Sequence, residues 1–277
     1  MKLGLIGYPI AHSLSPWIHN QLLDIHGMLG EYQLFECETD GFADKINEMK
    51  ADHIAGFNVT VPYKERILPY LDELDDAARF LGAVNTVKLD KGRYVGYNTD
   101  GTGYLASLVD RHADAVESPK QVLILGSGGA ARGIFYALLK QGIKKIDLAN
   151  RTIEKAQQVI DDLSASSISQ ALSLKEAEEK LVKYDLIIQT TSVGMSPNHE
   201  QTLLSLSGIT KDTIVSDIVY RPMKTAFLRE AEARGARIHY GHGMLLHQAI
   251  YAFQIWTGKP TDASEMMKAF EKKLKGV

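Results

Sequence analysis

The sequence predicts an α/β protein built in two parts. Short apolar runs that read as strands alternate with stretches of helical hydrophobic periodicity. A polar segment from His112 to Lys120, containing Pro119, reads as a linker between two styles of strand. Before it, polar residues crowd the strand ends. After it the strands are almost wholly apolar, as in a parallel sheet covered on both faces. A chain of 277 residues has room for two domains of ordinary size.

Composition narrows the function classes. The chain is 45% hydrophobic and 23% charged, with ample material for a core. A formal charge of −3 supplies no basic field for nucleic acid or an anionic membrane. Cys37 is the single cysteine, which excludes an intrachain disulfide or a cysteine-rich zinc site and points to a reducing cytoplasm. The run Leu3-Gly4-Leu5-Ile6-Gly7 is too short for a secretory signal, and nowhere do about 18 apolar residues run together.

That first run reads as a buried strand, followed by a Tyr8-Pro9 loop and then Ser13-Leu14-Ser15-Pro16. Ser15 is a natural N-cap with Pro16 at N1, and Ile18, Leu22 and Ile25 mark one helical face up to Gly27. Capping leaves Ser13 unexplained. Two hydroxyls at a helix N-terminus also suit a carboxylate or phosphate. Tyr32 to Cys37 alternates as a strand, and Phe42 to Met49 reads as a helix. A short buried strand, Ile54-Ala55-Gly56-Phe57, then runs into Asn58-Val59-Thr60-Val61-Pro62-Tyr63-Lys64. With Pro62 at N1, a helix is expected to begin through Glu65-Arg66-Ile67-Leu68. Asn58, Thr60 and Lys64 thus gather where a strand ends, the usual place for ligand groups in open α/β sheets. Asp72 to Leu81 is expected to be helical and closed by Gly82. Ala83 to Leu89 and Arg93 to Tyr97 read as a hairpin around Asp90-Lys91-Gly92. Just beyond it, Asn98-Thr99-Asp100-Gly101 reads as a turn, with Asp100 a candidate N-cap for the helix through Tyr104, Leu105 and Leu108.

After the linker, the strand Gln121-Val122-Leu123-Ile124-Leu125 runs into Gly126-Ser127-Gly128-Gly129-Ala130-Ala131-Arg132 and a helix through Leu139. This is G-x-G-x-x-A between a strand and a helix, the context that dinucleotide binding requires. The next strand, Lys145 to Ala149, ends in Asn150-Arg151-Thr152, where an NAD site would carry an acidic residue. Arg151 stands there instead and Lys155 lies one helical turn on. A guanidinium pairs with a 2′-phosphate that a carboxylate would repel, so NADP is favoured over NAD. Further strands, Tyr184 to Gln189 and Thr213 to Tyr220, end near Thr190 and Ile218. A helix from Thr225 to Arg234 follows. Gly241-His242-Gly243 then leads into a long helix, Met244 to Trp256, and Ser264 to Leu274 closes the chain.

Taken together, these motifs resemble the shikimate dehydrogenase family over nearly the whole length. They are Ser13-Leu14-Ser15-Pro16, Asn58 to Lys64, Gly82-Ala83-Val84-Asn85-Thr86, Asn98 to Gly101, Gly126 to Ala131, Asn150-Arg151-Thr152 and Gly243-Met244-x-x-x-Gln248. The resemblance implies an N-terminal α/β substrate domain, residues 1–102 with a return at 241–277, and a Rossmann-type NADP-binding domain at 103–240. It places the active site in the interdomain cleft. The implied reaction is reversible NADPH-dependent reduction of 3-dehydroshikimate to shikimate. Ser13 and Ser15 would hold the substrate carboxylate, and Asn58, Thr60, Asn85, Asp100 and Gln248 the ring hydroxyls, with Tyr220 also at the substrate. Lys64 and Asp100 would form the acid/base pair. Gly126, Ser127, Gly128, Gly129, Ala130, Ala131, Asn150, Arg151, Thr152, Lys155, Thr190, Ile218 and Gly241 would bind the cofactor. Lys155 stands where an arginine often completes the phosphate clamp and supplies charge without the bidentate fork. The expected partner is a small-molecule substrate, with no nucleic acid, metal or membrane, and the protein is expected to be a cytoplasmic monomer or homodimer. A quinate or mixed quinate/shikimate dehydrogenase shares this fold and chemistry; Arg151 and the paired serines argue against it. A non-catalytic metabolite sensor would have been free to lose Lys64 or Asp100, and both are present.

Overall fold

The computed structural model describes residues 1–117 and 120–276. The chain divides into two compact units, Met1–Asp100 with Leu246–Val277, and Gly101–Leu245. Of the expected linker, Ala113–Val116 forms a short 3-10 turn, while Ser118 and Pro119 lie outside the described residues.

The first unit runs β1 (Lys2–Gly7), α1 (Ser15–Ile25), β2 (Glu31–Glu36), α2 (Phe42–Ala51), β3 (Gly56–Val59), β4 (Glu73–Leu74), α3 (Asp76–Leu81), β5 (Thr86–Asp90) and β6 (Arg93–Tyr97). Its six strands form one sheet in the order β2-β1-β3-β5-β6-β4. β1 is parallel to β2 and β3, whereas β5 is antiparallel to both β3 and β6. The hairpin turns on Lys91 and Gly92, with φ of 49° and 81°, the positive pair that a tight primed turn needs. A core of Phe42, Ile46, Phe57, Tyr63, Ile67, Val84 and Val87 holds this unit together. Tyr63 is fully buried, stacks on Phe42 with ring centroids 4.2 Å apart, and donates its hydroxyl to the Cys37 carbonyl at 2.6 Å. The backbone is therefore anchored one residue before Lys64. The Lys64 carbonyl itself accepts from the Val84 N–H at 2.8 Å.

Several local expectations differ from the structure. Tyr63 to Tyr70 forms turns and a 3-10 segment, Leu68–Tyr70, rather than an α-helix, and Pro62 follows a cis peptide. Pro69 explains the short length, because a proline ring clashes with the carbonyl four residues back and lacks an N–H. The expected helix over Asp72–Leu81 begins only at Asp76, because Glu73–Leu74 pairs with β6 and the Asp75 carboxylate caps α3 through the Ala78 N–H at 2.7 Å. Gly82 closes α3 in the left-handed region, φ 62°, as expected. Ser15 is not the N-cap of α1 but its first residue; the side chain that meets the backbone there is Ser13, whose Oγ accepts from the Ser15 N–H at 3.2 Å. Asp100 likewise is the first residue of its helix, with its carboxylate oxygens taken up by Asn85 Nδ2 and Lys64 Nζ, while the Asn98 Oδ1 accepts from the Asp100 N–H at 3.2 Å.

The second unit is entered along α4 (Asp100–Arg111) and runs β7 (Val122–Leu125), α5 (Gly129–Lys140), β8 (Ile146–Ala149), α6 (Ile153–Asp162), β9 (Ala171–Leu172), α7 (Leu174–Glu179), β10 (Leu186–Gln189), β11 (Ile214–Asp217), α8 (Ala226–Ala233) and β12 (Arg237–His239). Its six strands are all parallel, in the order β12-β11-β10-β7-β8-β9. This is the doubly wound arrangement, with the strand order reversing beside β7. The central strands are buried throughout, which is why their sequences show no polar alternation. β11 stops at Asp217, three residues earlier than its apolar run suggests, since Ile218 to Tyr220 leave the ladder. Among the described residues no helix is long and apolar enough to cross a membrane.

The chain returns to the first unit along α9 (Gly241–Thr257) and ends with α10 (Ala263–Lys275). Trp256 locks this return in place: its Nε1 donates to the Val87 carbonyl at 2.8 Å, and its ring lies so close to Gly56 that a Cβ there would overlap it. Trp256→Phe keeps most of the apolar contact but removes the indole bond to the Val87 carbonyl, which stays paired with Phe57 in the β3–β5 ladder. A loss of about 0.5–1.5 kcal/mol is expected, read as a lowered unfolding midpoint in urea.

Candidate active site

The first unit assembles its polar groups on the ends of β1, β3 and β6 and on the chain just before β5. Asn58 lies in β3, opposite Leu5 of β1 and Thr86 of β5, and is 4% exposed. Its amide is fully committed on the donor side, giving Nδ2 hydrogens to the Asn85 carbonyl and the Thr86 hydroxyl, both at 3.1 Å. Its Oδ1 accepts from the Tyr32 hydroxyl at 2.7 Å. Asn85 is held as firmly: Nδ2 donates to Thr99 Oγ1 at 2.9 Å and to Asp100 Oδ1 at 2.8 Å, while Oδ1 accepts from the Thr99 N–H at 2.8 Å and from the Thr86 hydroxyl at 3.0 Å. The Thr99 hydroxyl reaches the Gln248 carbonyl on α9 at 3.1 Å.

This scaffold presents Asp100 with one oxygen on Asn85 and the other on Lys64. The Lys64 Nζ to Asp100 Oδ2 distance is 2.5 Å, with the lysine side chain 29% exposed and the carboxylate side chain 12% exposed. The pair is thus neither buried away from ligands nor left to solvent. One of the three lysine N–H groups goes to Asp100, leaving two for an incoming oxygen. Thr60 sits beside Gly7, where a Cβ would overlap its methyl group, and its N–H bonds to the Ile6 carbonyl at 3.0 Å.

Beneath this group lies a layer that sequence reasoning missed. Tyr32, 4% exposed, connects Asn58 to Ser15: burial raises its pKa well above the ordinary value, and a hydrogen bond from Ser15 works in the opposite sense. His19 stacks on Tyr32 with centroids 4.3 Å apart, and complete burial pushes its pKa down to about 3. The imidazole is therefore neutral and leaves the layer uncharged. Strand alternation marks Tyr32 as inward-facing, but the partner of its hydroxyl is 26 residues away in the chain. Thr86 and Thr99, which entered the sequence reading only as parts of motifs, belong to the same layer: Thr86 meets Asn58 of β3, and Thr99 meets Asn85 and the Gln248 carbonyl of α9.

The second unit carries the dinucleotide motif on the β7–α5 turn. Gly126 has φ 116°, and a Cβ there would come within 2.6 Å of Thr190 Oγ1. Glycine is required twice over, for conformation and for room. Thr190 in turn donates its hydroxyl to the Leu125 carbonyl at 2.7 Å. Gly128 caps α5 with no side chain, and Cβ atoms built on Gly128 and Gly129 would meet nothing within 4 Å. The first N–H groups of α5 therefore face open space, suited to a pyrophosphate, and Ser127, Ala130 and Ala131 put only small side chains around the turn. At the end of β8, Asn150 Nδ2 bonds to the Thr152 carbonyl at 2.9 Å and shapes the turn that holds Arg151 out to solvent. Arg151 and Lys155 are exposed, and among the described residues neither has an ion-pair partner, so both are open to a phosphate. By contrast Arg132 is already bound to Asp162 at 2.6 Å. Gly241 at the start of α9 lets the Ile218 carbonyl pack directly on the backbone, and Tyr220 follows on the loop leaving β11.

Three family models match the chain: a shikimate dehydrogenase substrate-binding domain over residues 5–87, a shikimate/quinate 5-dehydrogenase domain over 107–217, and a shikimate 5′-dehydrogenase C-terminal domain over 241–269. A shikimate dehydrogenase (NADP(+)) of Oceanobacillus iheyensis is 49% identical over 278 residues, covering 100% of this chain and 99% of the relative. The chain belongs to the shikimate dehydrogenase family. Among solved structures, a shikimate dehydrogenase in complex with NADP+ superposes with a TM-score of 0.91 at 35% identity, covering 99% of this chain and 95% of the other. The Thermus thermophilus enzyme, in complex with NADP(H) and shikimate, gives a TM-score of 0.87 at 33% identity, covering 98% and 99%.

Within this shikimate dehydrogenase fold, the Tyr32 hydroxyl holds the Oδ1 of an Asn58 amide whose orientation the Asn85 carbonyl and Thr86 hydroxyl set from its other side. Tyr32→Phe removes that partner without changing the stacked ring. The KM for shikimate is expected to rise about five- to tenfold, the equivalent of one hydrogen bond, with the KM for NADP unchanged in steady-state assays.

Proposed function

We propose that the protein catalyses the reversible NADPH-dependent reduction of 3-dehydroshikimate to shikimate, with Lys64 and Asp100 acting as one acid/base unit. The observation that carries this reading is the Lys64–Asp100 pair, fixed from behind by Asn85, in a chain of this family. Bound NADPH supplies the hydride that adds to the ketone carbon. As that bond forms, the carbonyl π electrons move to oxygen, and the resulting alkoxide needs a proton and a nearby positive charge. Lys64 presents both on its two uncommitted N–H groups, and Asp100 keeps the ammonium oriented. In the oxidative direction the same pair takes the hydroxyl proton.

In this reading Ser13 and Ser15 hold the substrate carboxylate, aided by the N-terminus of α1. Asn58 has no N–H to spare, so it meets a substrate hydroxyl as acceptor. Thr60, Asn85, Tyr220 and Gln248 complete the ring contacts. Gly126, Gly128 and Gly129 bring backbone to the pyrophosphate, and Arg151 with Lys155 engages the 2′-phosphate. The protein works in the cytoplasm on a small-molecule substrate, as a monomer or homodimer.

NADPH consumption with 3-dehydroshikimate tests the activity directly; no consumption, or faster turnover of quinate with NAD, would overturn it. Cofactor choice is tested through Arg151. Removing a charge-assisted contact costs about 1.5–3 kcal/mol, so Arg151→Ala should raise the NADPH KM about 10- to 100-fold while leaving NADH nearly unaffected. The acid/base unit is tested by a double-mutant cycle. Lys64→Ala and Asp100→Ala should each remove most of the turnover, and the double variant should be scarcely worse. Shikimate binding by calorimetry should survive Lys64→Ala better than turnover does, because the proton is needed most in the transition state.

A further inference from the structure

Asp217, the last residue of β11, is fully buried, and among the described residues no cation pairs with it. Burial pushes its pKa up to about 6, against hydrogen bonds from Thr225, Val219 and Gln189 that favour the carboxylate. Keeping such a group inside a fold is costly, and an apolar residue would be cheaper. What the carboxylate offers in return is acceptor capacity at one point. Oδ1 accepts from the Val219 N–H at 2.9 Å and from Gln189 Nε2 at 3.1 Å, and Oδ2 accepts from Thr225 Oγ1 at 2.7 Å.

Each of those donors belongs to a different piece of the sheet's C-terminal edge. Val219 is on the segment leaving β11. Thr225 is the N-cap of α8, where its side chain also accepts from the Leu228 N–H. Gln189 ends β10 and orders the segment leaving it: Oε1 accepts from the Thr191 N–H, and Nε2 also reaches the Val193 carbonyl at 3.0 Å. The Ile218 N–H closes the group on the Gln189 carbonyl at 3.0 Å. Thr190 and Ile218 are thus held between bonds on either side.

A doubly wound sheet binds a dinucleotide across its strand-order reversal. With the adenosine phosphate side over β8 and Arg151, the other half lies toward the ends of β10 and β11. We propose that Asp217, acting through Gln189 and Val219, is the positioning residue that holds the β10 and β11 end segments ready for the nicotinamide half of NADP. This rests on the reading that Thr190, Ile218 and Gly241 meet the cofactor. Without the carboxylate, the two segments must be ordered at binding, and that entropy is subtracted from affinity.

Calorimetry with two probes tests this. NADP+ reaches both halves of the site, whereas 2′,5′-ADP uses only the Gly126–Ala131 turn and Arg151. Asp217→Ala and Gln189→Leu should each weaken NADP+ binding about tenfold while leaving 2′,5′-ADP binding within about twofold of the unmodified protein. Asp217→Asn keeps an acceptor for Val219 and Gln189, and should restore most of the NADP+ affinity. Unchanged NADP+ affinity in the variants would overturn the proposal, as would equal loss for both probes, which marks a general loosening of the fold. Should Asp217→Ala not fold, Gln189→Leu carries the comparison with the charge left in place. Failure of the unmodified protein to bind 2′,5′-ADP would instead remove the nucleotide assignment itself, and this proposal with it.

Discussion

The site in the first unit depends on the hydrogen bond from Asn85 to Asp100. Through it the carboxylate inherits the rigidity of the sheet, and Lys64 inherits it in turn. The chain of bonds runs back from Asp100 through Asn85 and Thr86 to Asn58 and Tyr32. Every member before Asp100 is buried, so a broken link leaves an unsatisfied polar group that water cannot rescue. Such a network has one low-energy arrangement of its amides. Lys64 belongs to a turn with little regular structure of its own, and it is placed instead by the buried Tyr63 ring and by the Val84 N–H.

The second unit meets a related demand by different means. There the groups offered to a ligand are backbone N–H groups, and precision comes from leaving side chains out. Gly126 brings the β7–α5 turn against Thr190, and Gly128 leaves the start of α5 without a side-chain cap. Asp217 is the exception, a buried carboxylate held by the uncharged donors Gln189, Val219 and Thr225, and it sits where two loops meet. Arg151 stays outside, where hydration spares it any desolvation cost.

Much of this was legible in the residues. The strand–glycine–helix motif located the β7–α5 turn because its geometry is local: a tight turn, open backbone and a helix start are consecutive in the chain. Arg151 was readable for the same reason, one position fixed by its distance from a strand end. Helices α1, α5 and α9 and the Lys91-Gly92 turn followed from periodicity and turn chemistry, with boundaries shifting by a few residues.

What the sequence alone determined, then, was everything that depends on neighbours in the chain: the α/β class, the two styles of strand, the glycine turn, and which polar residues end strands. Only the tertiary structure decided which of those residues meet. Asp72–Asp75 gave up helix for pairing with β6, and Ser13 rather than Ser15 took the backbone bond at α1. Tyr32 found Asn58, Asn85 found Asp100, and Asp217 gathered Gln189, Val219 and Thr225, because strands adjacent in a sheet can be far apart in sequence. Hydrogen bonds between side chains are short-ranged and directional, so their partners are set by sheet register, which the residues themselves do not spell out.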